Sequence, residues 1–182
     1  MARKESITRD YLFETAFEIA KEEGMENVTA RKLATKAGCS TQPIFRLYSN
    51  MEELWKEIFE AGVKYFEEYY KNAPRYDSTP FVNLGLTYIR FAEQEKQLFK
   101  ILFLADYRYG KSLYEILNGE TGAIAKEIAI AKKDGCKNAG ELFMKMWIFI
   151  HGAACMSLTG DYDLKMEETI QLLQQAYQGF LG

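Results

Sequence analysis

The sequence predicts an all-α protein: an N-terminal three-helix helix-turn-helix followed by a larger helical region. Three observations predict it. Apolar residues recur at three- and four-residue spacing, and no run alternates with period two. Glycine, or a capping Thr, Ser or Asn, falls where helices should end or begin. Finally, Val28 to Asn50, VTARKLATKAGCSTQPIFRLYSN, reads as two short helices around a glycine turn. It carries Arg31, Lys32, Lys36 and Arg46 and no acidic residue, in a chain of formal net charge -3.

The first helix spans about Ser6 to Glu23, with Leu12, Phe13, Ala16, Phe17, Ile19 and Ala20 on one face. Gly24 ends it. Thr29 is an N-cap for a second helix, Ala30 to Ala37, whose inward residues are Leu33, Ala34 and Ala37. Gly38 permits a left-handed turn. Ser40 then caps a third helix, Thr41 to Leu47, with Pro43 in its first turn, where no intrahelical N–H is lost. Asn50 with Glu53 reads as a capping box for a fourth helix, Met51 to Asn72. Its apolar face is Leu54, Trp55, Ile58, Phe59, Val63, Phe66 and Tyr70. After a loop at 72–78, Thr79-Pro80 caps a helix over 80–95. Further helices follow at 97–107, 111–117 and 123–132, punctuated by Gly119, Gly122 and Gly135. Two strongly apolar helices, 138–159 and 164–180, close the sequence.

Composition bounds the function. A chain of 182 residues holds one or two domains, and 48% hydrophobic content supplies a core. Cys39, Cys136 and Cys155 are odd in number and far apart, as in reduced cytosolic proteins. No CxxC pair suggests a zinc site. The polar start MARKESITRDYLF is unlike a secretory signal. The longest apolar run, Met146 to Leu158, is shorter than a bilayer span. A soluble, cytoplasmic protein that does not enter the membrane is therefore expected. Charge is unevenly placed: residues 1–50 carry a net of +1 and the remainder a net of -4. No Gly-rich phosphate loop or convincing carboxylate pair occurs, and His151 is the only histidine. No catalytic residue, metal or cofactor is expected.

A cationic helix-turn-helix in an acidic chain points to a surface for phosphates and base edges. The second helix of such a motif enters the major groove while the first crosses the backbone. Ser40, Thr41 and Gln42 then approach base edges, Gln42 suiting adenine or phosphate and Arg46 guanine or phosphate. Thr29, Arg31 and Lys32 meet phosphate from the start of the preceding helix. Arg3 and Lys4 form an arm toward the backbone or minor groove, and Tyr48 and Asn50 complete the expected contact set.

The segment Leu12 to Leu54 resembles the DNA-binding domain of the tetracycline-repressor (TetR) family. The resemblance is carried by Leu12, Ala16, Ile19 and Gly24, by Val28-Thr29 and Arg31, and by Leu33-Ala34 and Ala37-Gly38-Cys39-Ser40. Phe45, Tyr48, Asn50 and Glu52-Glu53-Leu54 continue it. A short second match, Trp147 to Gly152 (WIFIHG), resembles one C-terminal subgroup. The resemblance implies a homodimer on a palindromic double-stranded DNA operator, usually a repressor, released by a small-molecule effector. It places the DNA-binding domain at 1–50 and the effector-binding and dimerisation domain at 51–182. This chain has Phe45, Leu47 and Met51 where the family usually has tyrosine, histidine and often lysine, so two common phosphate contacts are absent. A helical adaptor with little sequence-specific DNA binding is the alternative.

Aromatic residues crowd the second region. Tyr65, Phe66, Tyr69, Tyr88, Phe91, Phe103, Tyr107, Trp147 and His151 are expected to line an apolar cavity for a hydrophobic or aromatic effector. Tyr88, Tyr107 and His151 supply its polar tips. His151 and Cys155 lie four apart on one face, but no third ligand accompanies them. Stripes through Leu142, Met146, Phe149, Ile150, Ala153 and Ser157, and through Met166, Ile170, Leu173, Tyr177 and Phe180, suit either a four-helix dimer interface or burial within one subunit.

Overall fold

The computed structural model describes residues 7–181, and every regular element among them is helical. In order these are α1 (Arg9–Glu23), a 3₁₀ turn (Met25–Asn27), α2 (Ala30–Lys36), α3 (Gln42–Leu47) and α4 (Met51–Lys71). Then follow α5 (Val82–Gln94), α6 (Lys96–Phe99) running into a π turn (Lys100–Leu104), α7 (Leu113–Asn118), α8 (Ala123–Lys133), α9 (Ala139–Thr159) and α10 (Met166–Leu181). Lys4 and Arg3 lie outside the described residues. Two compact units emerge. One combines residues 1–64 with 97–110; the other combines 65–96 with 111–182. The division falls inside α4.

The first unit is a three-helix head extended by the start of α4. Leu12, Ala16, Ile19, Leu33 and Leu54 are wholly buried, so the helical spacing read from the sequence is the spacing of the core, and Val28 and Ile44 are buried with them. Thr8 caps α1 by accepting the Tyr11 N–H. Gly38 takes φ 66°, and the following Cys39 N–H returns to Ala34 O at 2.9 Å. This is the left-handed stop that separates α2 from α3. The expected Ser40 cap is not formed. Thr41 stands at the N-cap with a helical backbone and no side-chain bond, because Pro43 in the first turn removes one of the donors a cap would satisfy.

The second unit is organised around α5. Every residue from Val82 to Ile89 is buried, as befits a helix covered on all sides. α5 packs chiefly against α9 and α10. Gly85 marks the closest approach: a Cβ there would lie 2.9 Å from Ile150 Cδ1 and 3.2 Å from Leu173 Cδ1. The start of α5 differs from expectation. Thr79-Pro80 does not cap it; the helix begins at Val82, after Phe81 in the left-handed region at φ 66°. The Phe81 N–H donates to buried Glu127 Oε2 at 2.8 Å, which holds a conformation that a bulky residue rarely adopts.

α9 is long and apolar enough to cross a bilayer, more so than the run Met146 to Leu158 suggested. Here it behaves as a core helix, since Leu142, Met146, Ile150, Ala153 and Ser157 are buried within the chain. Leu173 and Tyr177 of α10 are buried too. Of the two readings open for these stripes, burial within one subunit holds for their central residues. A different stripe stays exposed on α9: Met144, Ile148 and Met156, with Gly152 between them.

Filling Gly85 tests the α5 crossing. Gly85→Ala should cost about 1–3 kcal/mol by overpacking against Ile150, lowering the urea midpoint without changing its slope. An unchanged midpoint would show that the crossing relaxes freely.

Candidate nucleic-acid interface and ligand cleft

The helix-turn-helix presents a short groove helix. Ser40, Gln42 and Arg46 are exposed, and Thr41 is half-buried at the helix start. Phe45 is 53% exposed on the same helix, an apolar side chain facing solvent beside Arg46. Thr29 is exposed, but its hydroxyl is already committed as the N-cap of α2, accepting the Lys32 N–H at 3.2 Å. Asn50 caps α4 through the Glu53 N–H at 2.9 Å. The reciprocal bond of this box goes one residue further out, from the Ser49 N–H to Glu53 Oε2 at 2.8 Å.

Not all four cations of the basic window are equally available. The Lys32 ammonium pairs with Glu23 and lies 3.4 Å from Asn27 Oδ1. Lys36 lies 3.2 Å from Glu22 and 3.5 Å from Glu18. These acids belong to α1, outside the window that looked purely basic. Arg31 and Arg46 are exposed and form no ion pair among the described residues. They are the free cations of the motif.

Tyr48 corrects the expected contact set. It is 1% exposed, and its hydroxyl is buried beside the Glu57 carboxylate. Burial first, and then the neighbouring Glu57 carboxylate, push the phenol well above its ordinary pKa. Tyr48 is therefore a core residue of the head, not a phosphate ligand. Its ring instead carries the Arg9 guanidinium, 4.3 Å from the ring centroid. Arg9 also donates to Leu47 O at 2.9 Å, Glu53 at 3.0 Å and Glu57 at 2.9 Å. One side chain from α1 thus grips the end of α3 and the first turns of α4. Sequence reasoning passed over Arg9. The only signal was the i, i+4 pair Glu53 and Glu57, which puts two carboxylates on one helix face without naming their partner.

The aromatic residues of the second unit assemble as a packed chain of rings. Phe66 and Phe91 lie 4.9 Å apart edge to face, Tyr69 and Phe91 5.2 Å, and Tyr65 and Phe91 6.4 Å. Tyr88 contacts Phe66 at 6.3 Å and Trp147 at 4.9 Å. His151 stacks on Trp147 at 5.5 Å. The Tyr88 hydroxyl meets His151 Nδ1 at 2.9 Å, and Cys155 Sγ lies 3.7 Å from His151 Nε2. Burial pushes the Cys155 thiol up. Tyr88 and Phe91 are wholly buried and Phe66 nearly so. These rings fill the core of the unit instead of surrounding space.

A cleft of about 520 Å³ opens beside them, lined by Tyr65, Tyr69, Ala73, Pro74, Tyr76, Leu86, Thr87, Arg90 and Gln94, with Glu68 and Asn72. Of the expected effector residues, Tyr65 and Tyr69 border it. Tyr88, Trp147 and His151 do not. Phe103 and Tyr107 belong to the other compact unit. Phe103 is buried there against Phe99 at 5.1 Å. Tyr107 is 64% exposed and meets Tyr109 edge to face at 4.8 Å, and it is not among the residues that line this cleft. A second cleft, about 510 Å³, lies beyond Ala73, Pro74 and Thr87 and contains Arg75 and Glu127, 3.7 Å apart. Among the described residues no group of three or more His, Cys, Asp or Glu is placed to hold a metal ion.

Residues 12–58 match the family described as bacterial regulatory proteins, tetR family. No curated protein matches the chain. Several solved structures share its fold over nearly the whole length. A TetR-like transcriptional regulator from a Rhodococcus species aligns at TM-score 0.63 and 14% identity, covering 99% of each chain. A TetR family transcription regulator from Marinobacter aquaeolei aligns at 0.65 and 16%, covering 93% of each. A TetR variant from Acinetobacter baumannii in complex with minocycline aligns at 0.55 and 16%, covering 96% of this chain and 94% of that one.

Replacing Arg9 by methionine leaves Leu47 O and two carboxylates without their donor. The loss should be about 1–2 kcal/mol, since charged hydrogen bonds are strong but this group is partly exposed. Urea unfolding of Arg9→Met reads it. The pH dependence follows from Glu53, whose carboxyl is held below its ordinary range first by the Ser49 N–H and then by Arg9. A depressed folded pKa adds stability above the unfolded value and loses it as pH falls through the folded one. Glu53→Gln should therefore flatten the acid limb of the melting-temperature profile, with little change at neutral pH relative to its own plateau.

Proposed function

With residues 12–58 forming a tetR-family domain, we propose that the protein is a ligand-responsive transcriptional regulator, most simply a cytoplasmic repressor. Two copies bind a palindromic operator through residues 1–50, and a small effector bound within 51–182 releases them. The observation that supports DNA reading is the pair Arg31 and Arg46, exposed and unpaired on successive helices of a tetR-type helix-turn-helix. Arg46 on the groove helix addresses a base edge or phosphate; Arg31 at the start of α2 addresses the backbone.

Dimerisation is supported by α9. Met144, Ile148 and Met156 are 52%, 66% and 48% exposed and stand four or eight residues apart, with Gly152 leaving room for a close helix approach. A groove lined by Ile148, Phe149, Gly152, Ala153, Leu164 and Leu172 continues this apolar surface toward α10. Covering such a face with its own copy gives an isologous contact. The two reading heads must then sit about one DNA turn apart, roughly 34–36 Å. α4 supplies the coupling element in this reading: its Leu54 and Ile58 are core residues of the head, and its Tyr65 and Tyr69 border the cleft. An effector that prefers the arrangement with mismatched heads lowers operator affinity by its differential binding, typically about 1–3 kcal/mol. That an Acinetobacter protein of this fold was solved in complex with minocycline supports a small-molecule effector here.

Selection from a random duplex pool tests the reading directly. Enrichment of one palindrome is expected; no enrichment at low salt overturns it in favour of a helical adaptor. On the selected operator, Arg46→Ala should weaken specific binding by about 1–3 kcal/mol, measured by fluorescence anisotropy. Arg31→Ala should weaken binding to all duplexes and reduce the salt slope by about one. Ile148→Asp should shift the sedimentation coefficient from dimer to monomer.

A further inference from the structure

The cleft between the end of α4 and α5 contains one feature that the aromatic composition did not announce, a guanidinium without a carboxylate. Arg90 is half-buried on α5, and its Nη1 donates to the Tyr76 hydroxyl at 3.3 Å. It forms no ion pair among the described residues. The acid that shares the cleft is occupied elsewhere, since Glu68 pairs with Lys71 at 3.2 Å. The remaining walls are ring faces and small apolar groups: Tyr65, Tyr69 and Tyr76 with Ala73 and Leu86. The ring hydroxyls are oriented by internal bonds, Tyr65 to Glu95 at 2.5 Å and Tyr69 to Gln94 at 2.7 Å. Both rings pack on Phe91 on one side and border the cleft on the other. Arg90 acts on this wall electrostatically, opposing the rise that burial imposes on the Tyr69 hydroxyl.

We propose that this cleft binds a flat aromatic carboxylate, with Arg90 as the partner of the anion and the tyrosines as the stacking walls. A guanidinium presents a planar fork that matches a carboxylate in two parallel hydrogen bonds. Only one of its donors is used by Tyr76. Tyr76 accepts from Arg90, so its own O–H proton is available to the same carboxylate. Tyrosine faces prefer an aromatic body to a linear chain, through edge and offset-stacked contacts. A volume of about 520 Å³ accommodates two fused rings with their substituent. The second cleft is the poorer place for an anion, because its Glu127 is buried and its Arg75 already lies beside that acid, whereas Glu68 of the first cleft is exposed and pairs with Lys71, leaving Arg90 to the ligand.

The proposal rests on the effector-binding role given to residues 51–182, and calorimetry without DNA separates the two. The probes are 2-naphthoate, its neutral isostere 2-naphthamide, 2-naphthyltrimethylammonium and decanoate, titrated into the full chain. The expected result is that 2-naphthoate binds at least tenfold more tightly than each of the others. Arg90→Gln should remove that tenfold preference over the amide while leaving binding of the amide and the circular dichroism spectrum unchanged. Tyr76→Phe, a second and gentler variant, should reduce naphthoate affinity severalfold and spare the amide. Equal binding of acid and amide, preference for the cation or for decanoate, unchanged affinity in Arg90→Gln, or no binding of any probe overturns this ligand chemistry. An operator selected and bound normally in the same preparation would show that the regulator reading stands when the ligand proposal falls.

Discussion

The guanidinium of Arg9 is the interaction on which the reading head depends. It bonds to the end of α3 and the first turns of α4 from the start of α1. Without it the Leu47 carbonyl loses this donor, and two carboxylates one turn apart on α4 repel each other. A six-residue helix is too short to hold itself. Its orientation has to come from outside, from Ile44 and Tyr48 in the core below and Arg9 at its end. The indole of Trp55 adds a second tie, donating to Val28 O at 2.9 Å and fastening α4 to the connector before α2. The head and the start of α4 are consequently one packed object.

The electrostatics of the head follow from what α1 places nearby. Lys32 and Lys36 look like phosphate ligands in the linear sequence, yet Glu18, Glu22 and Glu23 neutralise them. An approaching phosphate must compete with those carboxylates, which reduces the return on each contact. Arg31 and Arg46 meet no such competition. The free cationic surface of the motif is thus narrower than the basic window suggests, and exposed Phe45 adds an apolar patch beside it.

In the second unit the governing constraint is the burial of α5 on every side. A helix so enclosed can carry few polar groups, and each must be satisfied. Asn83 is, by accepting the N–H groups of Tyr76 at 2.7 Å and Asp77 at 3.2 Å. Asp77 in turn takes the Thr79 N–H and the Gln174 amide, both at 2.7 Å. The connection between α4 and α5 is therefore shaped by buried polar groups, and it forms one wall of each cleft. The same packing that closes the core around Tyr88 and Phe91 leaves the open space outside it, against Tyr65, Tyr69 and Arg90.

The helices, the glycine turn and the core of the head were legible in the sequence, because helical periodicity and glycine stereochemistry are local properties. Leu12, Ala16, Ile19 and Leu33 declare their burial by spacing alone. What the sequence left undecided was every question of which neighbour a side chain meets. Tyr48 sits among polar residues yet is buried; Lys32 stands in a basic run yet is paired; Tyr88 and His151, read as separate polar tips, bond each other. The exposed stripe of α9 and the unpaired Arg90 belong to the same class. Pairing between residues tens of positions apart depends on three-dimensional packing, and a one-dimensional pattern carries no record of it.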